Sequence, residues 1–477
     1  MIKRTFSGSK TLCAALILFG SYNLYASVAF SPMRGLTKSQ FVKDMFVGWN
    51  LGNTMDASPG ETGWGNPVTT QAMIDVVAKE GFKTMRLPVT WCTGAIGASS
   101  CHFGAGPGYT IDTAWLHRVA AIANYALNDS MYVIVNTHHD DWASLAATAT
   151  SNPSIAQIKA EVVALWTQIA NAFRNYGDYV VFEIFNEPNT GDPNPYTGGS
   201  PATRAVLDTY QLAAVNAIRA TGGNNAARMI MLQGISASPI AVSVGTIPMV
   251  DSNILVSIHT YYPQNFCLPG TSGMRTTWGN AGSGDSANVM SQLDGERTMV
   301  ATKGGVAVVG EWASPASAVL ASRCKHAYYY SQQCRAHAMA PVWWDDGGLT
   351  GNGFGILNRT TNPPSWAFKT IADTLVAGAR SVTFPTAAGP SKEDKITVNG
   401  SLTIKAGAVN YTLPKTSYVS LRLYTMQGKR VADLVKSVQS AGNHEVKLQA
   451  TGISSGNYVL EFKAGNSSVT KRLTIVR

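Results

Sequence analysis

Tyr179-Val180-Val181-Phe182-Glu183-Ile184-Phe185-Asn186-Glu187-Pro188 is an apolar run of strand length that ends on a carboxylate and a proline. Its β-branched and aromatic content favours an extended chain buried on both faces. Pro188 stops strand pairing just past Glu187, which suits a carboxylate at a sheet rim. Similar runs are Phe46–Asn53, Thr84–Trp91, Met131–His138, Met229–Gly234, Ile254–Tyr262, Val306–Trp312 and Ala338–Trp344. Helical patterns lie between them: Thr69–Glu80, Ile111–Leu127, Ser154–Tyr176, Ala202–Ala220, Ser286–Thr302 and Ala316–His337. Buried strands alternating with helices predict an α/β chain with a helix-covered parallel sheet. Eight strands favour a (β/α)8 TIM barrel over a doubly wound sheet, because polar residues recur at the strands' C-terminal ends, where barrel active sites are built.

From about Ala379 the texture changes, and Pro385, Gly389 and Pro390 mark a linker over 379–396. Beyond it Leu402–Lys405, Tyr418–Met426, His444–Leu448, Tyr458–Lys463 and Val469–Val476 alternate apolar with polar residues, punctuated by glycines. That pattern predicts a small antiparallel β-sandwich over 397–477, separate from a catalytic barrel at 30–378.

At the other end, Lys3, Arg4 and Lys10 precede a short apolar run, and Ser27-Val28-Ala29 offers small residues for cleavage. Residues 1–29 therefore read as a signal peptide, and a secreted or cell-surface protein is expected. The run is too short and interrupted for a stable membrane span.

The chain has 477 residues, 45% hydrophobic and 14% charged, which suits a globular enzyme with a large core. Its formal charge of +9 is unevenly spread. Residues 30–380 carry 21 basic and 23 acidic groups, whereas 381–477 carry 13 basic and 5 acidic. A near-neutral barrel suits an uncharged polymer and gives no steering field for nucleic acid. Five cysteines follow the leader: Cys92, Cys101, Cys267, Cys324 and Cys334. Cys92 and Cys101 flank a Gly-rich loop and can pair in an exported protein. The other three offer no preferred pairing, and none has zinc-site spacing.

Two strand-end carboxylates stand out, Glu187 and Glu311, the latter in Val309-Gly310-Glu311-Trp312. Cleaving a glycosidic bond with retention needs one carboxyl group to protonate the leaving oxygen and another to attack the anomeric carbon. Glu183 shares a strand face with Glu187 but lies deeper, where a buried, paired structural carboxylate is expected. Arg86 inside the second strand needs a partner, and Glu311 is a natural one. Such a pair would keep Glu311 ionised, while burial would keep Glu187 protonated. His259 and Tyr261 share a face near the sixth strand's end, placed to hold a carboxylate and to donate to the nucleophile or a sugar. In His138-His139-Asp140-Asp141 successive strand residues face opposite ways, so a substrate-hydroxyl contact from His138 is favoured over a shared ion. No metal and no cofactor are expected. Trp64, Trp142, Trp278, Trp343 and Trp344 fall in loop-like or strand-end positions, where flat rings can stack on glucose. Trp343 and Trp344 must diverge, and Trp344 is expected to face the sugar.

Taken together these residues resemble the clan of retaining (β/α)8 glycosidases, and specifically family 5 of the glycoside hydrolases. The resemblance runs from about Phe46 to Thr374. It rests on Gly48-Trp49-Asn50-Leu51-Gly52-Asn53-Thr54, Glu61-Thr62-Gly63-Trp64-Gly65-Asn66-Pro67, Arg86-Leu87-Pro88, Asn136-Thr137-His138-His139-Asp140, Phe185-Asn186-Glu187-Pro188, His259-Thr260-Tyr261, Gly310-Glu311-Trp312 and Trp343-Trp344-Asp345. It implies an endo-β-1,4-glucanase acting on cellulose-type or mixed-linkage β-glucan, with Glu187 as acid/base and Glu311 as nucleophile. Substrate-binding roles fall on Asn53, Trp64, Arg86, His138, His139, Asn186, His259, Tyr261 and Trp344. Asn186 would bond the sugar 2-hydroxyl. A xyloglucanase or mannanase on the same scaffold is the nearest alternative, and a non-catalytic glycan-binding barrel a more distant one. The Cys92–Cys101 loop departs from the branch these motifs resemble most. The tail is similar to the C-terminal sorting domain of type IX secretion substrates, through Leu423-Tyr424-Thr425-Met426-Gln427-Gly428-Lys429-Arg430-Val431 and Ile453-Ser454-Ser455-Gly456-Asn457-Tyr458. That likeness implies secretion machinery or a cell-surface attachment as a partner.

Overall fold

The computed structural model describes residues 33–385 and, beyond them, strands lying between 403 and 475. The expected signal peptide and most of the expected linker lie outside the described residues. The chain divides into two compact units at Ala388/Gly389.

The first unit is a closed barrel of β1 (Gly48–Asn50), β2 (Thr84–Leu87), β3 (Tyr132–Asn136), β4 (Val180–Glu183), β5 (Ile230–Gln233), β6 (Ile254–His259), β7 (Ala307–Trp312) and β8 (Ala340–Trp343), paired in sequence order. Every neighbouring pair is parallel. Most strands are shorter than the apolar runs that announce them, because at the C-terminal rim the chain leaves the ladder and turns its last residues toward a shared opening. Helices begin where the capping residues lie. Asp112 and Ser154 accept from the first-turn amides of Thr113–Asn128 and Ile155–Ala172, and Ser200 forms a reciprocal capping box with Thr203.

The two-residue period of a strand sorts the side chains. Met85, Leu87, Val133, Val135, Val180 and Phe182 face outward into the core beneath the helices. Tyr132, Ile134, Val181, Met231, Leu255, Val308 and Val342 face inward and fill the lower barrel. One or two positions further along the same inward faces come Asn50, Arg86, Asn136, Glu183 and Ser257, all fully buried. The barrel is therefore apolar at its base and polar just under its mouth. Helix Lys38–Met45, which the periodicity does not announce, closes the base with Phe41, Val42 and Met45. Helix Lys369–Arg380 runs into the expected linker and packs on Leu320–Ala336.

The second unit holds a three-stranded and a four-stranded antiparallel sheet, with Val409, Tyr411 and Leu413 of one meeting Val419, Leu421, Leu423, Leu460 and Phe462 of the other. Strands Ala408–Leu413 and Arg430–Gln439 were absent from the sequence reading. The second carries Asp433 and Lys436, which break its alternation.

Candidate active site

The site grows out of the buried polar layer. Arg86, fully buried, spends its guanidinium on four side chains. Nε donates to Glu183 at 2.8 Å, Nη1 to Glu311 at 2.8 Å and Asn50 at 3.0 Å, and Nη2 to Asn186 at 2.7 Å. Burying this cation is costly unless it is paired, and here two carboxylates pair it. Glu183 also accepts from Asn136 Nδ2 (3.0 Å) and Ser257 Oγ (2.6 Å), so it is a saturated structural carboxylate. Asn50, Asn136 and Ser257 were not assigned roles from sequence. The signal that finds them is parity, since each lies on the inward face of its strand.

Above this layer stand two carboxyl groups. Glu311, at the end of β7, is buried and accepts from Tyr261 Oη at 3.0 Å as well as from Arg86. Glu187 lies past the end of β4 and keeps 38% of its side-chain surface open at the mouth, although protein surrounds its base. His259 joins them, its Nδ1 being 2.7 Å from Glu187 Oε1 and 3.7 Å from Glu311 Oε1. One oxygen of each carboxyl group and one nitrogen of His259 all lie within 4.8 Å of one another. A register shift between Ile258 and His259 brings the ring against Gly310. A Cβ at Gly310 would sit 2.9 Å from His259 Nε2, so only glycine gives the ring this seat.

The charge balance differs from the sequence expectation and corrects it. Burial is the largest influence on Glu311 and raises its pKa above the ordinary glutamate value, only partly offset by His259 and Arg86. Burial also acts on Glu187, but its hydrogen bond to His259, then the charges of His259 and Arg86, hold it below that value. Burial disfavours the His259 cation, yet Glu311 and Glu187 together raise it above the usual imidazole range. These directions oppose the ones expected from Arg86 alone, because His259 is a cation that touches Glu187. Tyr261 is pushed far up, first by burial and then by the two carboxylates, and stays a donor.

The expected substrate contacts surround this centre. Trp344, on the inward parity of β8, lies parallel to the His138 ring with centroids 5.7 Å apart. A Cβ at Gly52 would meet the Trp344 ring at 2.8 Å. His139 lies beside Trp64, ring centroids 5.4 Å apart, and Trp64 is 47% exposed. Asn186 spends its carbonyl oxygen on Arg86, leaving its amide N–H groups as the donors it can offer a sugar. Asn53 has φ 55° in the turn after β1, its backbone held by Asp56 and Asn66.

Two expectations need correcting. Trp142 and Trp278 are buried, not sugar platforms: Trp142 donates to Asp140 and packs on Phe103, and Trp278 packs on His326 and Tyr329. Trp343, by contrast, meets its expectation: it is buried and donates to the Phe354 carbonyl, diverging from Trp344 as strand parity requires. A loop position in the sequence does not imply an exposed ring. His138 and His139 do not face opposite sides either. Strand β3 ends at Asn136, and past it the two rings meet edge to face, 4.5 Å apart, with Asp56 close by. A different feature bears on metal binding there. The Asn136 carbonyl oxygen accepts from the Val89 N–H, so its amide nitrogen faces His138 Nδ1 at 3.2 Å. Nδ1 therefore accepts, Nε2 carries the proton, and a protonated ring nitrogen is a donor and not a ligand.

Cys92 and Cys101 are bonded to each other. Cys267, Cys324 and Cys334 are all unpaired, Cys267 and Cys334 being buried. Asp140 accepts from the amides of Trp91 and Cys92 and so ties the disulfide loop to the end of β3.

Two carboxyl groups sharing an imidazole at the rim of a parallel (β/α)8 barrel, ringed by aromatic side chains, define a glycoside hydrolase. The cellulase model of glycosyl hydrolase family 5 matches residues 49–348, and a secretion-system C-terminal sorting domain matches 398–476. The chain is 41% identical over 390 residues to Endoglucanase B of Clostridium cellulovorans, spanning 80% of this chain and 85% of that one. The solved structure of ZgEngAGH5_4 with a cellotriose is 42% identical, with a TM-score of 0.66 over 72% of this chain and all of that one (100%). A GH5-4 broad specificity endoglucanase from Clostridium acetobutylicum is 39% identical, with a TM-score of 0.65 over 72% of this chain and 99% of that one. The protein belongs to glycosyl hydrolase family 5, the cellulase family. Its C-terminal sorting domain marks it as secreted or held at the cell surface. No described helix is long and apolar enough to cross a membrane.

Proposed function

We propose that the barrel cleaves internal β-1,4 bonds of glucan chains with net retention, Glu187 serving as acid/base and Glu311 as nucleophile. The observation that carries this reading is the carboxyl separation. One oxygen of each lies no more than 4.8 Å from one of the other, which fits carboxyl groups roughly 5–5.5 Å apart, as in double displacement, better than the roughly 6.5–9.5 Å that an intervening water requires.

The proton inventory supports the assignment. Attack needs Glu311 ionised and one proton on Glu187. That proton is shared with His259 along the 2.7 Å hydrogen bond. With the site open to water the charged form, imidazolium and carboxylate, is favoured. A bound sugar excludes water and favours the neutral form, in which Glu187 holds the proton beside the leaving oxygen. Arg86 and Tyr261 fix both oxygens of Glu311, so its attacking lone pair is aimed by the Oε1 and Oε2 contacts. After the glycosyl-enzyme forms, Glu187 takes a proton from water as the water oxygen bonds to the anomeric carbon and the bond to Glu311 breaks, returning its carboxylate. Asn186 donates to the 2-hydroxyl, and Trp344, His138, His139 and Trp64 grip the chain on one side of the scissile bond.

The relatives named as endoglucanases, one of them of broad specificity, favour a β-1,4-glucan backbone with some tolerance of decoration. A reducing-sugar and viscosity assay across carboxymethylcellulose, lichenan, xyloglucan and mannan tests it. Rapid viscosity loss on the first two is expected; release from mannan alone would overturn the substrate, and release from none would overturn the activity. For export, the division at Ala388/Gly389 supports a catalytic domain at 30–378, a linker at 379–396 and a sorting domain at 397–477 that meets the secretion machinery, with residues 1–29 as the signal peptide.

A further inference from the structure

The aromatic grip described above lies on the loops after β8, β1 and β3. Glu187 opens the other half of the barrel, and the acid must face the oxygen of the departing sugar. The loops after β4 and β5 therefore border the leaving-group side. Tyr196 sits there, in a short turn at Pro195–Thr197. At 82% it is the most exposed large hydrophobic side chain among the described residues.

This loop is braced. Ser236, just past β5, donates its N–H to the Pro188 carbonyl at 3.0 Å and its hydroxyl to the Pro195 carbonyl at 3.1 Å, pinning both ends of the segment beside Glu187. Ser236 and the next residue, Ala237, hold φ 54° and 46°, a conformation that L-residues adopt at a cost and that recurs at functional sites. Asp192 accepts from the Asn194 amide and the Thr203 hydroxyl, and Arg204 donates to the Gly198 and Gly199 carbonyls. Gly198 leaves room for Ile240 and Val242, which a Cβ there would meet at 2.9 Å. Val242 is itself 54% exposed, so the loop that carries the tyrosine borders an apolar side chain open to solvent. A ring left in water on a loop fixed by this many bonds suits a surface that a flat, neutral ligand covers.

We propose that Tyr196 is a stacking platform for glucosyl units on the leaving-group side of the scissile bond, beyond the first departing sugar. The inference rests on the glucanase reading and adds to it a subsite. It makes the enzyme's preference for long chains depend on the loop after β4.

The test compares kcat/KM on cellohexaose with kcat/KM on p-nitrophenyl β-cellobioside, whose leaving group is too short to reach the platform. The expected result is that Tyr196→Ala lowers the cellohexaose-to-aryl ratio about two- to tenfold, through KM, in line with one lost aromatic contact. Tyr196→Phe keeps the wild-type ratio, because the ring remains. An unchanged ratio in Tyr196→Ala, or an equal loss in Tyr196→Phe, would overturn the proposal. Wild-type enzyme inactive on both substrates would overturn the glucanase reading itself, a result distinguishable from either.

Discussion

Replacing Arg86 by methionine should separate stability from chemistry. The guanidinium is wholly buried and binds Glu183 and Glu311, so its loss strands two carboxylates. Breaking such a buried pair by removing one partner costs about 3–5 kcal/mol of stability. The nucleophile loses a cation whose charge centre lies roughly 4 Å away, worth up to about 4 kcal/mol at an effective dielectric of 20. His259 and Tyr261 remain to stabilise the anion, so about half of that should be expressed, a rise of roughly 1–2 pKa units in Glu311. The sign follows directly. Attack needs the carboxylate, and a raised value confines it to higher pH, so the acid limb of kcat/KM moves up. The assay is a pH profile on neutral mixed-linkage glucan, with circular dichroism to confirm the fold. Arg86→Met combined with Glu183→Gln removes one stranded charge and should recover part of the thermal midpoint while leaving the acid limb displaced. An acid limb that coincides with wild type in a folded variant would refute the claim that Arg86 holds Glu311.

Other outcomes follow from the same geometry. Gly310→Ala places a Cβ against His259 Nε2; it should cost about 1–3 kcal/mol by overpacking and move the basic limb of activity to lower pH, since the ring is pushed off Glu187. A basic limb left in place would argue against His259 sharing the catalytic proton. Tyr261→Phe removes a hydrogen bond to a charged oxygen, and kcat/KM should fall about ten- to a hundredfold with little change in thermal midpoint. In the wild-type profile both limbs should lie above the ordinary values of their groups, the acid limb because burial raises Glu311 and the basic limb because two carboxylates raise His259. Stopped assays on lichenan from pH 4 to 10 would show this, and an acid limb below the usual glutamate range would contradict it.

The barrel was legible because a strand buried on both faces leaves an unbroken apolar run, and polar residues recur inside or near the C-terminal end of these runs. Glu187, Glu311, Arg86, His259 and Tyr261 were each visible for that reason. Parity placed Trp344 inward and Trp343 outward correctly, since β8 continues to Trp343. The same rule failed at His138 and His139, because β3 stops at Asn136 and nothing in the local sequence marks the stop. Burial of Trp142 and Trp278 depends on partners far along the chain, such as His326, and no local pattern encodes it. The opposed pKa directions of the two glutamates were hidden likewise, because they depend on a histidine from β6 touching an acid past β4. In the second unit, Arg430–Gln439 was hidden because Asp433 and Lys436 break its alternation, whereas Ala408–Leu413 alternates cleanly through Val409, Tyr411 and Leu413 and was open to the same reading.

Trapping the intermediate bears most directly on the central assignment. A 2-deoxy-2-fluoro β-cellobioside with a good leaving group forms the glycosyl-enzyme faster than water releases it, and peptide mass mapping then locates the modified side chain. The expected result is one fluorocellobiosyl group on Glu311. A label on Glu187, or no label while the enzyme still hydrolyses glucan, would contradict the double displacement described above.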